Sequence, residues 1–127
     1  MKTIKQFGIW MAEEIAKVYL FEANFIEIIE QDNKFDFLIM DKQNRKSIIG
    51  IDIKSSKYKE TKLLEIYSKK RQEYTENKFP VIIMYINYID KTGFFEVINK
   101  RLTNNLIILN TTNFKAEIKK LTRKKSK

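Results

Sequence analysis

KFDFLIM (34–40), the polar stretch DKQNRKS (41–47) and IIGIDIKSS (48–56) form two apolar runs of strand length around a turn, the pattern of a β-hairpin. In the first run Phe35, Phe37 and Ile39 alternate with Asp36, Leu38 and Met40. In the second, Ile49, Ile51 and Ile53 alternate with Ile48, Gly50, Asp52 and Lys54. Strand side chains alternate with period two, so Asp52 and Lys54 emerge on one face, roughly 6–7 Å apart along the strand. Pairing across the turn brings Asp36 toward them from the neighbouring strand. Two carboxylates and an ammonium converging on one face are expensive to assemble, and such groups gather at functional sites.

Outward from the hairpin, FIEIIE (25–30) reads as a preceding strand, with Gln31-Asp32-Asn33 as its turn. Before it, Ile4, Gly8, Met11, Ile15 and Val18 recur at helical spacing over about 3–23. With Ile15 at the centre of that stripe, Glu14 stands about 100° away at its edge and Glu13 nearly opposite. Glu14 is thus the acid of this helix able to face a cleft, although both also read as ordinary surface acids.

After the hairpin, residues 60–77 are expected to be helical, with Leu63, Leu64, Tyr67, Arg71 and Tyr74 broadly on one side. Lys69, Lys70 and Arg71 form either a basic patch for phosphates or a solvated face; with Lys57, Lys70 and Arg71 are the candidate nucleic-acid contacts. Pro80 stops the helix at Phe79. VIIMYINY (81–88) is a nearly continuous apolar run, as in a strand covered on both faces. A turn at Asp90-Lys91-Thr92-Gly93, a strand FFEVI (94–98) and a short strand NLIIL (105–109) follow. Phe114, Ile118 and Leu121 define a last helix capped by Thr111 or Thr112. The order is αβββαβ plus two short strands and a C-terminal helix: an α/β fold with a mixed central sheet flanked by helices, in a single domain over 1–127.

Composition narrows the chemistry. The 127 residues suffice for one hydrophobic core, and a formal net charge of +9 makes a polyanion the first partner to consider; a lysine-rich composition is the bland alternative. The chain has no cysteine and no histidine, which removes thiolate and imidazole metal sites, cysteine nucleophiles and Ser-His-Asp triads. Three glycines provide neither a P-loop nor a dinucleotide fingerprint. Asp, Glu, Lys, Tyr, Ser and Thr remain, with a hard metal as their natural auxiliary. The apolar run 9–12 meets Glu13 and Glu14 directly, unlike a secretory signal, and 81–88 is too short for a membrane helix. A soluble, cytoplasmic protein with no membrane partner is expected. The terminal basic segment, about 122–127, reads as a solvated tail or a phosphate contact.

An acid-x-Lys triplet alone carries little weight, since it also occurs at Asp32-Asn33-Lys34, Glu60-Thr61-Lys62, Glu76-Asn77-Lys78 and Glu117-Ile118-Lys119. Those four fall in a turn or in helical segments without a paired acid on a neighbouring strand. Asp52-Ile53-Lys54 has strand context, with Asp36 one hairpin earlier and a preceding helix bearing Glu14. In this it resembles the PD-(D/E)XK superfamily of restriction-endonuclease-like nucleases, whose αβββαβ core corresponds to about residues 5–90. FDFLI…GIDIKSS…PVIIMYI is also similar to small prokaryotic domains of this superfamily found near restriction and defence genes. The sequence departs from the pattern in having Phe35, not proline, before the first acid.

The resemblance implies a Mg²⁺-dependent nuclease, with Mn²⁺ as a substitute, acting on phosphodiester bonds in DNA rather than RNA. It implies Asp36, Asp52 and the Ile53 carbonyl as metal ligands, and Glu14, Asp36, Asp52 and Lys54 as the catalytic set. Lys54 would orient or deprotonate water and stabilise charge on phosphorus. A homodimer and a targeting partner protein are implied as well. The contrasting expectation is a catalytically silent module of the same fold that binds nucleic acid or regulates a protein partner.

Overall fold

The computed structural model describes residues 14–18, 27–30, 35–40, 47–57, 60–87 and 89–122. Most of the helix expected over 3–23, including Glu13, lies outside these residues, as do Phe25, Ile26, the turns 31–33 and 41–46, Tyr88 and the basic tail 123–127.

Among the described residues six strands form one mixed sheet: β1 (Glu27–Glu30), β2 (Phe37–Met40), β3 (Ser47–Ser55), β4 (Val81–Asn87), β5 (Thr92–Ile98) and β6 (Ile107–Ile108). They lie side by side in chain order, all pairs antiparallel except β3–β4. Parallel neighbours require a crossover, and here it is helical, α2 (Glu60–Ile66) followed by α3 (Ser68–Tyr74). A helical stretch over 14–18 (α1) precedes the sheet and α4 (Thr111–Thr122) follows it. The expected α/β class and mixed sheet are thus observed.

Alternation on the strands divides the core into two layers. Ile39, Ile49, Ile51, Ile53, Ile82, Met84, Ile86 and Phe95 face one side, where Ala16 of α1 and Phe114 and Ile118 of α4 cover them. Leu38, Val81, Ile83, Tyr85 and Ile98 face the other, beneath Leu63 of α2 and Tyr74 of α3. β4 lies between both layers, and its first six residues are buried; hence its unbroken apolar sequence.

Four local expectations are corrected. Phe35 does not share the face of Phe37 and Ile39: β2 begins at Phe37, so alternation does not extend back to Phe35, which joins the α2–α3 layer. Its ring lies flat over Gly50, where a Cβ would come within 2.9 Å of three ring carbons, so glycine here makes room for an aromatic lid. The helix expected over 60–77 is two short helices joined at Tyr67. The Tyr67 N–H still donates to the Leu63 carbonyl and the Arg71 N–H to the Tyr67 carbonyl, so the junction is a bend that sets the Tyr67 ring against Tyr85. The last helix is capped by neither threonine. Asn110 caps it, its Oδ1 accepting the Asn113 N–H at 2.7 Å, which satisfies one of the orphan donors of the first turn. Finally, Thr92 and Gly93 belong to β5 and not to the turn before it. The Asn87 side chain accepts the N–H groups of Ile89 and Asp90, closing that turn early.

Candidate active site

Asp36 sits immediately before β2. Its backbone N–H donates to the Ile51 carbonyl at 2.9 Å, holding it against β3. Its carboxylate Oδ2 then accepts the Ile53 N–H at 2.7 Å. A side chain thus continues, for one more position, the pairing that the β2 backbone leaves off. This fixes Asp36 beside the middle residue of Asp52-Ile53-Lys54.

Asp52 and Lys54 project from β3 into the α2–α3 layer, as period two requires. Asp52 is buried, at 6 % exposure. The Lys54 ammonium reaches back to Asp52 Oδ2 at 3.3 Å, while its own side chain keeps partial access to solvent. Tyr74, at the end of α3, donates its hydroxyl to the same oxygen at 2.5 Å. Both partners therefore meet Oδ2. Among the described residues no hydrogen bond or ion pair engages the other oxygen, Oδ1.

Tyr74 was not legible as a site residue. In sequence it is one more aromatic on the apolar side of a helix; its place above Asp52 follows from how the crossover docks. Desolvation by burial, with the Asp52 carboxylate as acceptor and the Asp52, Asp36 and Glu73 charges nearby, pushes the Tyr74 phenol far above its ordinary value of 10.0. It therefore remains a neutral donor. Tyr85 behaves likewise, raised chiefly by burial and then by its hydrogen bond to Glu96. In the unfolded chain both phenols ionise near pH 10. A folded pKa raised above the unfolded one gives stability that is complete below pH 10 and is lost as pH rises further. Absorbance at 295 nm should accordingly show Tyr74 and Tyr85 silent until alkaline unfolding, and Tyr74→Phe should leave one fewer tyrosine silent.

Glu14 is not brought to this group. Its carboxylate is about half exposed and pairs with Lys17 at 3.4 Å, and among the described residues no cluster of three carboxylates is assembled. The nucleic-acid candidates divide. Lys57 is exposed. Lys70 is partly exposed, 3.6 Å from Glu73, with its ammonium 5.2 Å from the centre of the Tyr74 ring, which places a cation close to Asp52.

Arg71 is a correction. It is 3 % exposed and makes a bidentate pair with the fully buried Glu96 (Nε–Oε2 2.7 Å, Nη2–Oε1 3.0 Å), adding Asn104 Oδ1 at 2.9 Å and the Leu64 carbonyl at 3.3 Å. Tyr85 donates to Glu96 as well. A guanidinium so engaged cannot meet a phosphate. The signal was present in the sequence: Arg71 falls on the apolar side of its helix, and Glu96 interrupts an apolar strand, the two exceptions that a buried pair resolves.

No helix among the described residues is long and apolar enough to cross a membrane. No protein-family model matches the chain, and no curated protein matches it either.

Proposed function

We propose that this protein is a divalent-metal-dependent nuclease of restriction-endonuclease-like type that hydrolyses phosphodiester bonds, with DNA as substrate. One observation carries the reading. Asp36 is bonded to the backbone of Ile53, between Asp52 and Lys54, so an acid from the neighbouring chain segment stands beside the acid-x-Lys triplet of β3. The element order supports it: a helix, three antiparallel strands, a helical crossover, then a parallel strand.

Asp36, Asp52 and the Ile53 carbonyl offer only oxygen donors, the set that suits Mg²⁺ and tolerates Mn²⁺. Asp52 suits this role, because protein groups hold Oδ2 while Oδ1 has no such partner among the described residues. A bound ion would polarise the phosphate and acidify its water. Lys54, partly exposed beside Asp52, is placed to stabilise negative charge developing on a phosphoryl oxygen. Lys70 and Lys57 supply positive charge for the polyanion backbone. Glu14, paired with Lys17, is left out of this set.

A second reading is a catalytically silent module that binds nucleic acid. It is favoured by the completeness of the pairing at Asp52, whose charge is answered within the protein by Lys54 and Tyr74.

The deciding experiment incubates the protein with plasmid, linear and single-stranded DNA in Mg²⁺ or Mn²⁺. Cleavage is expected, and is expected to vanish in EDTA and in a folded Asp52→Ala variant. Cleavage surviving Asp52→Ala would refute the assignment. Absence of cleavage alongside steeply salt-dependent DNA binding would establish the silent module.

A further inference from the structure

Resting on that reading, the geometry points to Tyr74 as the positioning residue of the carboxylate pair: its hydroxyl holds Asp52 Oδ2 so that Oδ1 is the oxygen presented to a divalent cation. Three features place it there. First, the bond is short, 2.5 Å, and both groups are buried, so it is not exchanged for water. Second, Lys54 meets the same oxygen, so the two donors together leave the carboxylate one available edge. Third, the Tyr74 ring is itself packed in place. Phe35 packs on it at a centroid distance of 5.6 Å, and the Lys70 ammonium lies 5.2 Å from its centre.

The consequence concerns metal affinity. Without the phenol, Lys54 alone holds Oδ2, and the carboxylate is free to turn about its Cβ–Cγ bond, so an entering cation meets a ligand that is no longer ordered. Preorganised ligands bind more tightly because the ordering cost is already met in the free protein.

The test uses the full chain and Mn²⁺ alone, followed by electron paramagnetic resonance or calorimetry. Mg²⁺-dependence of cleavage is a second readout. Tyr74→Phe keeps the ring and removes the hydroxyl. It should weaken Mn²⁺ binding about tenfold, in keeping with the loss of one hydrogen bond to a charged group, and raise the Mg²⁺ concentration needed for half-maximal cleavage. Tyr85→Phe removes an equally short phenol–carboxylate bond from the same layer without touching Asp52, and should leave Mn²⁺ affinity at the wild-type value. Equal or tighter Mn²⁺ binding by Tyr74→Phe, with wild-type binding intact, overturns the positioning role and leaves the nuclease reading standing. Equal weakening in Tyr74→Phe and Tyr85→Phe also overturns it, since that is a general loss of packing. If the wild type itself binds no Mn²⁺, the metal-dependent reading and this role fall together.

Discussion

Lys54→Ala is expected to slow phosphodiester cleavage by roughly 10²–10³-fold, the usual cost of removing one donor aimed at developing charge. The same change is expected to leave unfolding free energy within about 1 kcal/mol of wild type. The two expectations separate because of where Lys54 sits. Its side chain is about a quarter exposed, and it shares Asp52 Oδ2 with Tyr74, so its removal leaves the carboxylate one buried partner. Single-turnover cleavage measured beside urea unfolding checks both parts. A Lys54→Ala enzyme that cuts at the wild-type rate would remove this lysine from the chemistry. Asp52→Ala should differ from it in stability, because it leaves the buried Tyr74 hydroxyl without its acceptor, a loss of about 1–3 kcal/mol.

The largest stability effect is expected at Glu96. Truncation to alanine strands the Arg71 guanidinium in the α2–α3 layer and takes the acceptor from Tyr85, so a loss of about 3–5 kcal/mol is expected. For a chain of this length that lowers Tm by about 10 °C or more. Replacing both partners, Arg71→Met with Glu96→Leu, removes the stranded charge together with its counter-ion and should recover most of the loss. Denaturant midpoints for the two single variants and the double variant give the coupling between the sites. A Glu96→Ala protein less than about 1 kcal/mol weaker than wild type would mean that Arg71 finds water, contrary to its 3 % exposure.

How much of this was legible in the sequence depends on which contacts each feature needs. The hairpin, β4 and the core face of α4 follow from local periodicity, and they were read correctly because burial on one face or two leaves its mark residue by residue. Asp52 and Lys54 share a face for the same reason. Phe35 was misplaced because alternation holds only within a ladder, and the ladder starts two residues later. Asparagine caps at least as well as the threonines that follow it, so residue type alone does not choose between Asn110, Thr111 and Thr112. Adjacency groups Arg71 with Lys69 and Lys70, while its helical phase sets it apart. Tyr74 is a different case. Its partner lies 22 residues away on a strand it reaches through the crossover, and no spacing rule encodes the docking of a helix over a chosen strand position.

The sheet order also has a consequence for folding kinetics. Among the described residues every strand lies beside its neighbour in sequence, and all but one of the joins are antiparallel. Asp36, Asp52 and Lys54 therefore meet through contacts inside one hairpin, at small loop-closure entropy, whereas Tyr74 and Arg71 arrive only when the long β3–β4 crossover closes. On this topology the acids are expected to assemble through early, local contacts and to be oriented by later, distant ones. Substitutions in the hairpin are thus expected to act mainly on the rate of folding, and those at the α3 contacts mainly on the rate of unfolding, which the two arms of a chevron plot would separate.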